Sequence, residues 1–258
     1  MNENLKAGVT SATLRQHAFK NFIKHVLKTD LKYIEWGSDI HVPYNEPDKA
    51  ADVAEEMNRH SLFASSYGSY YRLGWLHEKN MFDMVLNVAK ILGAPMVRVW
   101  GGGISSKYVN AKMRREIIDD ALKVAAVAKK ADISVALEYH PESIADTPES
   151  AVNIMHELRD WGGSNIYLYW QPRPFLSFAE NKRELVQLLP FISNVHVQSQ
   201  EGNIRFLLWE HMVYWKEYIK IIKDGGKKHT FLIEFTKDDN PDFFVDDAKV
   251  LIELLEDA

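Results

Sequence analysis

The 258-residue chain contains no cysteine, which excludes a disulfide framework and any thiolate chemistry. Basic charge is not in excess either: 31 Lys and Arg stand against 36 Asp and Glu, giving a formal charge of −5 and a pI near 6.1. Without a basic footprint the chain is a poor partner for phosphate backbones, so no nucleic acid is expected to bind. The short clusters Lys112/Arg114/Arg115 and Lys227/Lys228 read as solvated helix faces or ends. No apolar run approaches the roughly 20 residues that span a bilayer. The opening Met1-Asn2-Glu3-Asn4-Leu5-Lys6 lacks the cationic start and apolar stretch of a secretory signal. These absences predict a cytoplasmic protein with no membrane partner. Also missing are a Gly-Pro-Ser-rich linker and a Gly-x-Gly-x-x-Gly turn after the first strand-like run, which argues against two domains and against an open dinucleotide-binding sheet.

What the chain does have is alternation. Apolar, β-branched or aromatic runs begin near Leu5, Leu31, Leu62, Pro95, Ile133, Asn165, Ser193 and Thr230. They lie roughly 30 residues apart, the length of one strand, one helix and their loops. Between them, apolar residues recur at three- and four-residue steps, as in Phe19/Phe22/Ile23/Val26/Leu27 and Val85/Val88/Ala89/Leu92. Thr147-Pro148-Glu149 has the residues of a helix start, and Gly162-Gly163 and Gly225-Gly226 those of helix exits. Eight such units in 258 residues, with 46% hydrophobic residues to bury, predict one α/β domain over residues 1–258, a (β/α)8 TIM barrel.

Four of the later runs end in polar side chains: Glu138, Gln171, His196 and Glu234. A carboxylate that ends an apolar strand needs a partner, a cation or a water-filled cavity, because burying it alone costs several kcal/mol. A barrel mouth supplies that space. Taken singly, the two glutamates read equally as structural acids, and His196 as a core histidine.

In order along the chain, Tyr33-Ile34-Glu35-Trp36-Gly37 with His41-Val42-Pro43, Leu92-Gly93-Ala94-Pro95-Met96-Val97-Arg98-Val99-Trp100, Ala136-Leu137-Glu138-Tyr139-His140 with Asp146-Thr147, Asn194-Val195-His196-Val197 and Leu232-Ile233-Glu234-Phe235 resemble the xylose isomerase-like barrel superfamily. The resemblance implies a divalent cation held by Glu138, His196 and Glu234, with Gln171 where relatives often carry aspartate in Trp-Asp-Pro. Glutamine keeps a carbonyl oxygen but removes one negative charge. Manganese, magnesium or cobalt suits this oxygen and imidazole set better than zinc. The resemblance further implies an isomerase or epimerase working on a sugar, sugar acid or sugar phosphate through an enediolate, with Glu138 and Glu234 as the proton-transfer pair. A lyase or dehydratase on the same metal site and a non-catalytic sugar-binding barrel are the alternatives. The related DNA endonucleases carry a three-zinc cluster for which these loops lack the histidines and aspartates.

For the carbohydrate itself, the candidates are Glu35, His41, Tyr70, Tyr71, Arg72, Trp100, His140 and Arg205, because aromatic faces pack on sugar C–H groups and arginine forks bind carboxylate or phosphate. Each also has a plain reading as core or surface. Gly101-Gly102-Gly103 reads either as a small-residue loop near a ligand or as a flexible turn. After His196, Gln198 and Ser199 stand where many relatives have Lys and Asp. A homo-oligomer is compatible with all of this.

Overall fold

A computed structural model describes residues 4–258, so the reading of Met1 to Glu3 lies outside the described residues. Eight parallel strands close into a barrel in the order β1-β2-β3-β4-β5-β6-β7-β8 and back to β1. They are β1 (Leu5–Thr10), β2 (Tyr33–Gly37), β3 (Phe63–Arg72), β4 (Met96–Trp100), β5 (Ser134–Glu138), β6 (Ile166–Trp170), β7 (Ile192–Val197) and β8 (His229–Ile233). Closure is direct, with Val9 of β1 beside Ile233 of β8. The helices are α1 (Phe19–Val26), α2 (Pro47–Arg59), α3 (Met81–Ile91), α4 (Ala111–Lys129), α5 (Pro148–Asp160), α6 (Phe178–Leu188), α7 (Met212–Asp224) and α8 (Pro241–Glu256). A two-stranded hairpin, Gln200–Glu201 with Ile204–Arg205, projects between β7 and α7. None of the described helices is long and apolar enough to cross a membrane.

Local chemistry places these boundaries. Thr147 caps α5 by accepting from Ser150 N at 3.2 Å, Pro148 opens the helix, and Gly162 beyond its end has φ of 98°. Gly225 and Gly226 end α7 in the same manner.

Each strand sorts its residues by parity. Val97, Val99, Val135, Leu137, Leu168, Trp170, Val195, Val197, Phe231 and Ile233 join the main apolar core with the helices. The alternate residues fill the barrel. Among these, Met96, Ala136, Tyr167, Tyr169 and Leu232 pack together as a separate small cluster. Toward the C-terminal end they turn polar.

Candidate active site

Arg98, in the middle of β4, is 4% exposed and stands between two acids. Its Nε and Nη2 donate to Glu35 Oε1 of β2 at 3.1 and 2.9 Å, and its Nη1 donates to Glu138 Oε2 at the end of β5. The room for this comes from Gly68 on β3, paired with Arg98 in the sheet: a Cβ there would lie 2.7 Å from Arg98 Nη2 and 3.3 Å from Glu35 Oε1. Ser66 Oγ donates to the other oxygen of Glu35 at 2.9 Å and lies 2.6 Å from the Tyr169 hydroxyl, which accepts from Asn194 at 2.7 Å.

His196, on β7 and fully buried, joins this arm to the remaining strand ends. Its Nε2 lies 3.3 Å from Glu35 Oε1. Its Nδ1 lies 3.0 Å from Gln171 Oε1, 3.2 Å from Glu234 Oε2 and 3.9 Å from Glu138 Oε1. One oxygen each from Glu138 and Glu234 and a nitrogen of His196 fall within 4.8 Å of one another. Gln171 turns its carbonyl into this space, since its amide nitrogen donates to Tyr139 O at 3.3 Å. Gln198 Nε2 donates to Gln171 Oε1 at 3.2 Å and to Glu234 Oε2.

Burial alone would neutralise Glu35 and Glu234, and the cations reverse that. For Glu35 the desolvation cost is outweighed by Arg98 and His196, which hold its carboxyl far below the usual range. Glu234 is lowered as well, again with burial opposing and His196, Arg98 and the Gln198 amide prevailing. In His196 the desolvation penalty is overcome by Glu234 and Glu35, raising the imidazolium to about pKa 10. Arg98 stays charged for the same reason.

The donor set suits a divalent cation. With His196 neutral, as a metal ligand must be, three carboxylates against one guanidinium leave two negative charges; without a metal the His196 imidazolium offsets one of them. With Nε2–H donating to Glu35, a neutral His196 directs its Nδ1 lone pair toward three further acceptor oxygens, an arrangement that requires a cation, either a proton or a metal, at their centre. The Glu35–His196 contact then fixes the ring's tautomer as metal-bound histidines are commonly fixed.

The other sequence candidates divide by place. Tyr70 sits in the left-handed region at φ 56° within a bulge of β3, where its ring stacks on Trp100 at 6.3 Å and stands 5.5 Å from Arg98 Cζ. Trp100 also meets His140 at 4.3 Å and Arg72 at 4.3 Å, so these four form one wall of the mouth. Tyr71 points the other way, its ring 5.2 Å from Phe82 and its hydroxyl 3.3 Å from Asp120 of α4. His41 is buried against Phe22 and Trp36, its Nε2 2.8 Å from His17 O, and burial lowers its pKa. Arg205 is bound to Asp239 at 2.6 Å over the Phe235 ring. Glu35 lies deeper than the mouth, as the shared partner of Arg98 and His196. Sequence reasoning assigned no role to Arg98, Gln198, Tyr169 or Asn194. A lone arginine between valines in an apolar strand was the available signal for the first, since it demands buried acids.

Comparison with known proteins agrees with this architecture. The chain superimposes on the probable 3-DHS dehydratase involved in petrobactin synthesis from Bacillus anthracis with a TM-score of 0.77, at 15% identity over 96% of this chain and 98% of that one. A xylose isomerase-like barrel protein from Mycobacterium smegmatis in complex with magnesium gives 0.76 at 11% identity over 98% and 97%. The D-psicose 3-epimerase from Clostridium cellulolyticum with D-tagatose gives 0.69 at 12% identity over 97% and 98%. Such identities establish a shared fold. Among curated protein sequences none matches. The sequence pattern of one family covers residues 23–254, and the chain therefore belongs to the xylose isomerase-like TIM barrel family.

Proposed function

We propose that this barrel is a divalent-metal-dependent isomerase or epimerase that moves a proton beside the carbonyl of a sugar, sugar acid or sugar phosphate. The observation that carries this reading is the convergence of Glu138, His196 and Glu234 within 4.8 Å at the strand C-termini, where barrels of this kind place their chemistry. Structural relatives include epimerases and a dehydratase, which supports an enzyme acting on a small polyol.

Glu138, Gln171, His196 and Glu234 would hold the ion. Bound manganese, magnesium or cobalt would supply Lewis acidity to the substrate's adjacent oxygens. The protein does the rest. Glu234, kept ionised by its cationic neighbours and oriented by Gln198, takes the proton from the carbon beside the carbonyl, leaving an enediolate. Epimerisation requires a proton returned from the other side, and Glu138, oriented by Arg98, would deliver one that it has first taken up from solvent, while Glu234 releases its own to solvent to close the cycle. Glu35 secures His196, and the Tyr70–Trp100–His140 wall offers aromatic faces to the sugar.

Glu234→Gln keeps the side chain's size but cannot accept a proton. Turnover should fall by about 10²–10⁴-fold, mainly in kcat, with circular dichroism unchanged. Exchange of solvent deuterium into the substrate should stop with it. If a panel of ketoses, aldoses and keto acids shows no deuterium wash-in with the metal-loaded wild type, the reading yields to a non-catalytic sugar-binding barrel. A product that has lost a β-substituent would instead assign a dehydratase.

A further inference from the structure

Arginines stand beyond several strand ends at the mouth, and the protein's own acids occupy Arg173 and Arg205. Arg173 bonds Glu184 through Nε at 3.0 Å and through Nη2, and Arg205 bonds Asp239 at 2.6 Å. Arg72, at the end of β3, has no carboxylate partner among the described residues, and its guanidinium makes one long hydrogen bond, Nη1 to Gly102 O at 3.5 Å. It is nonetheless held in place. Its Cζ lies 4.3 Å from the Trp100 ring centroid and 5.0 Å from that of Trp75.

That seat is built by the loop after β4. Gly102 N donates to Trp100 O at 2.9 Å, folding the loop back so that its own carbonyl meets Arg72. Gly103 leaves room for the Trp75 ring, since a Cβ there would come within 3.0 Å of Trp75 Nε1 and closer still to the ring, and a larger residue would push Trp75 aside. Trp100 Nε1 is buried with no hydrogen-bond partner among the described residues. A guanidinium fixed against aromatic faces keeps its in-plane N–H fork for a bidentate oxyanion. Contacts step outward from Arg98 to Tyr70 to Trp100 to Arg72, so this fork sits beyond the reacting centre along one wall. The deep cluster, once it holds a divalent ion, has no positive charge to spare for a second anion.

We propose that Arg72, seated on Trp75 and Trp100, is an oxyanion subsite, and that the substrate carries a carboxylate or phosphate at the end remote from its carbonyl. This rests on the isomerase reading and narrows it to anionic sugars.

Calorimetric titration of the magnesium-loaded protein with D-ribulose, D-ribulose 5-phosphate, D-glucuronate and inorganic phosphate tests it. At least one anionic sugar should bind about tenfold or more tightly than D-ribulose, and which one distinguishes phosphate from carboxylate. Arg72→Gln should bring that sugar to the affinity of the neutral one and remove the response to inorganic phosphate. Arg72→Lys, which keeps the charge but not the fork, should retain an intermediate preference, and it carries the test if the glutamine variant fails to fold. Equal binding of neutral and anionic sugars to the wild type, or a preference that survives Arg72→Gln, overturns the subsite and leaves the isomerase reading standing. Binding without deuterium exchange overturns the isomerase reading alone, and no binding by any of the four overturns both.

Discussion

On β4, Val97 and Val99 lie in the helix-facing core while Arg98 between them is paired to Glu35 and Glu138 inside the barrel. On β7, Val195 and Val197 do the same on either side of His196. Both faces are buried, yet only the inner one carries charge. The outer face meets helices that offer it mostly apolar side chains, so a charged strand residue there would rarely find a partner. The inner face meets seven other strands across the axis, and closure brings acids and cations from distant parts of the chain into one ring. Burial therefore does not predict apolarity here; access to a partner of opposite charge does.

The largest effect should come from making the inner face like the outer one. Arg98→Met leaves Glu35 and Glu138 buried without their guanidinium, and removing one member of a buried ion pair costs about 3–5 kcal/mol. Urea unfolding should show this as a lower midpoint. Arg98→Met with Glu35→Gln removes one of the stranded charges and should recover part of the loss. A double variant no more stable than the single would show that Glu35 is not the acid Arg98 serves.

How much of this was readable from the sequence follows the same division. The outer face repeats at every strand, so the eight runs, the helices between them and the closed barrel were legible, with strand starts within two residues of those expected. The strand-end acids and His196 were legible because a polar residue ending an apolar run is conspicuous. Arg98 was not, because its partners stand 63 and 40 residues away and meet it only once β2 to β5 pair into one sheet. Tyr70 and Tyr71 looked equivalent in sequence but face opposite ways, and the irregular register of β3 hid from the sequence which of the two meets the mouth. Beyond β2, nothing local distinguished a mouth histidine from His41 in its buried turn.

A buried acid with no cation sharpens the comparison. Asp247 on α8 is 4% exposed and accepts from Leu208 N at 2.7 Å and Thr236 Oγ1 at 2.8 Å. Burial outweighs these bonds and pushes its carboxyl up to about 6. Folding thus retains a proton that the unfolded chain releases near pH 4, so stability falls as pH rises from about 4 to 6 and is level above. Asp247→Asn keeps one acceptor and has no such dependence. The variant should gain on the wild type across that window, by an amount on the order of 1–3 kcal/mol. Parallel melting curves at pH 4, 5, 6 and 7 measure it, and a constant gap between the two proteins would remove desolvation as the cause.

The smallest effect concerns Gln171, which keeps the inner face short of one acid. Its carbonyl already points at His196 Nδ1, so Gln171→Asp would add a third oxygen charge on the side of Glu138 and Glu234, on a side chain one methylene shorter. Two consequences of opposite sign follow. Without metal, a fourth carboxylate in a cluster served by Arg98 and the His196 imidazolium leaves the acids further in excess and should lower stability by repulsion. With metal, a hard anionic ligand replaces a neutral one, and manganese affinity should rise about tenfold. Melting in chelator and in excess manganese reads both, the variant melting below the wild type in the first and gaining more from the second. Calorimetry gives the affinity directly. A variant whose manganese affinity is unchanged would show that the amide oxygen of Gln171 faces His196 for structural reasons alone and that the ion is held by Glu138, His196 and Glu234 without it.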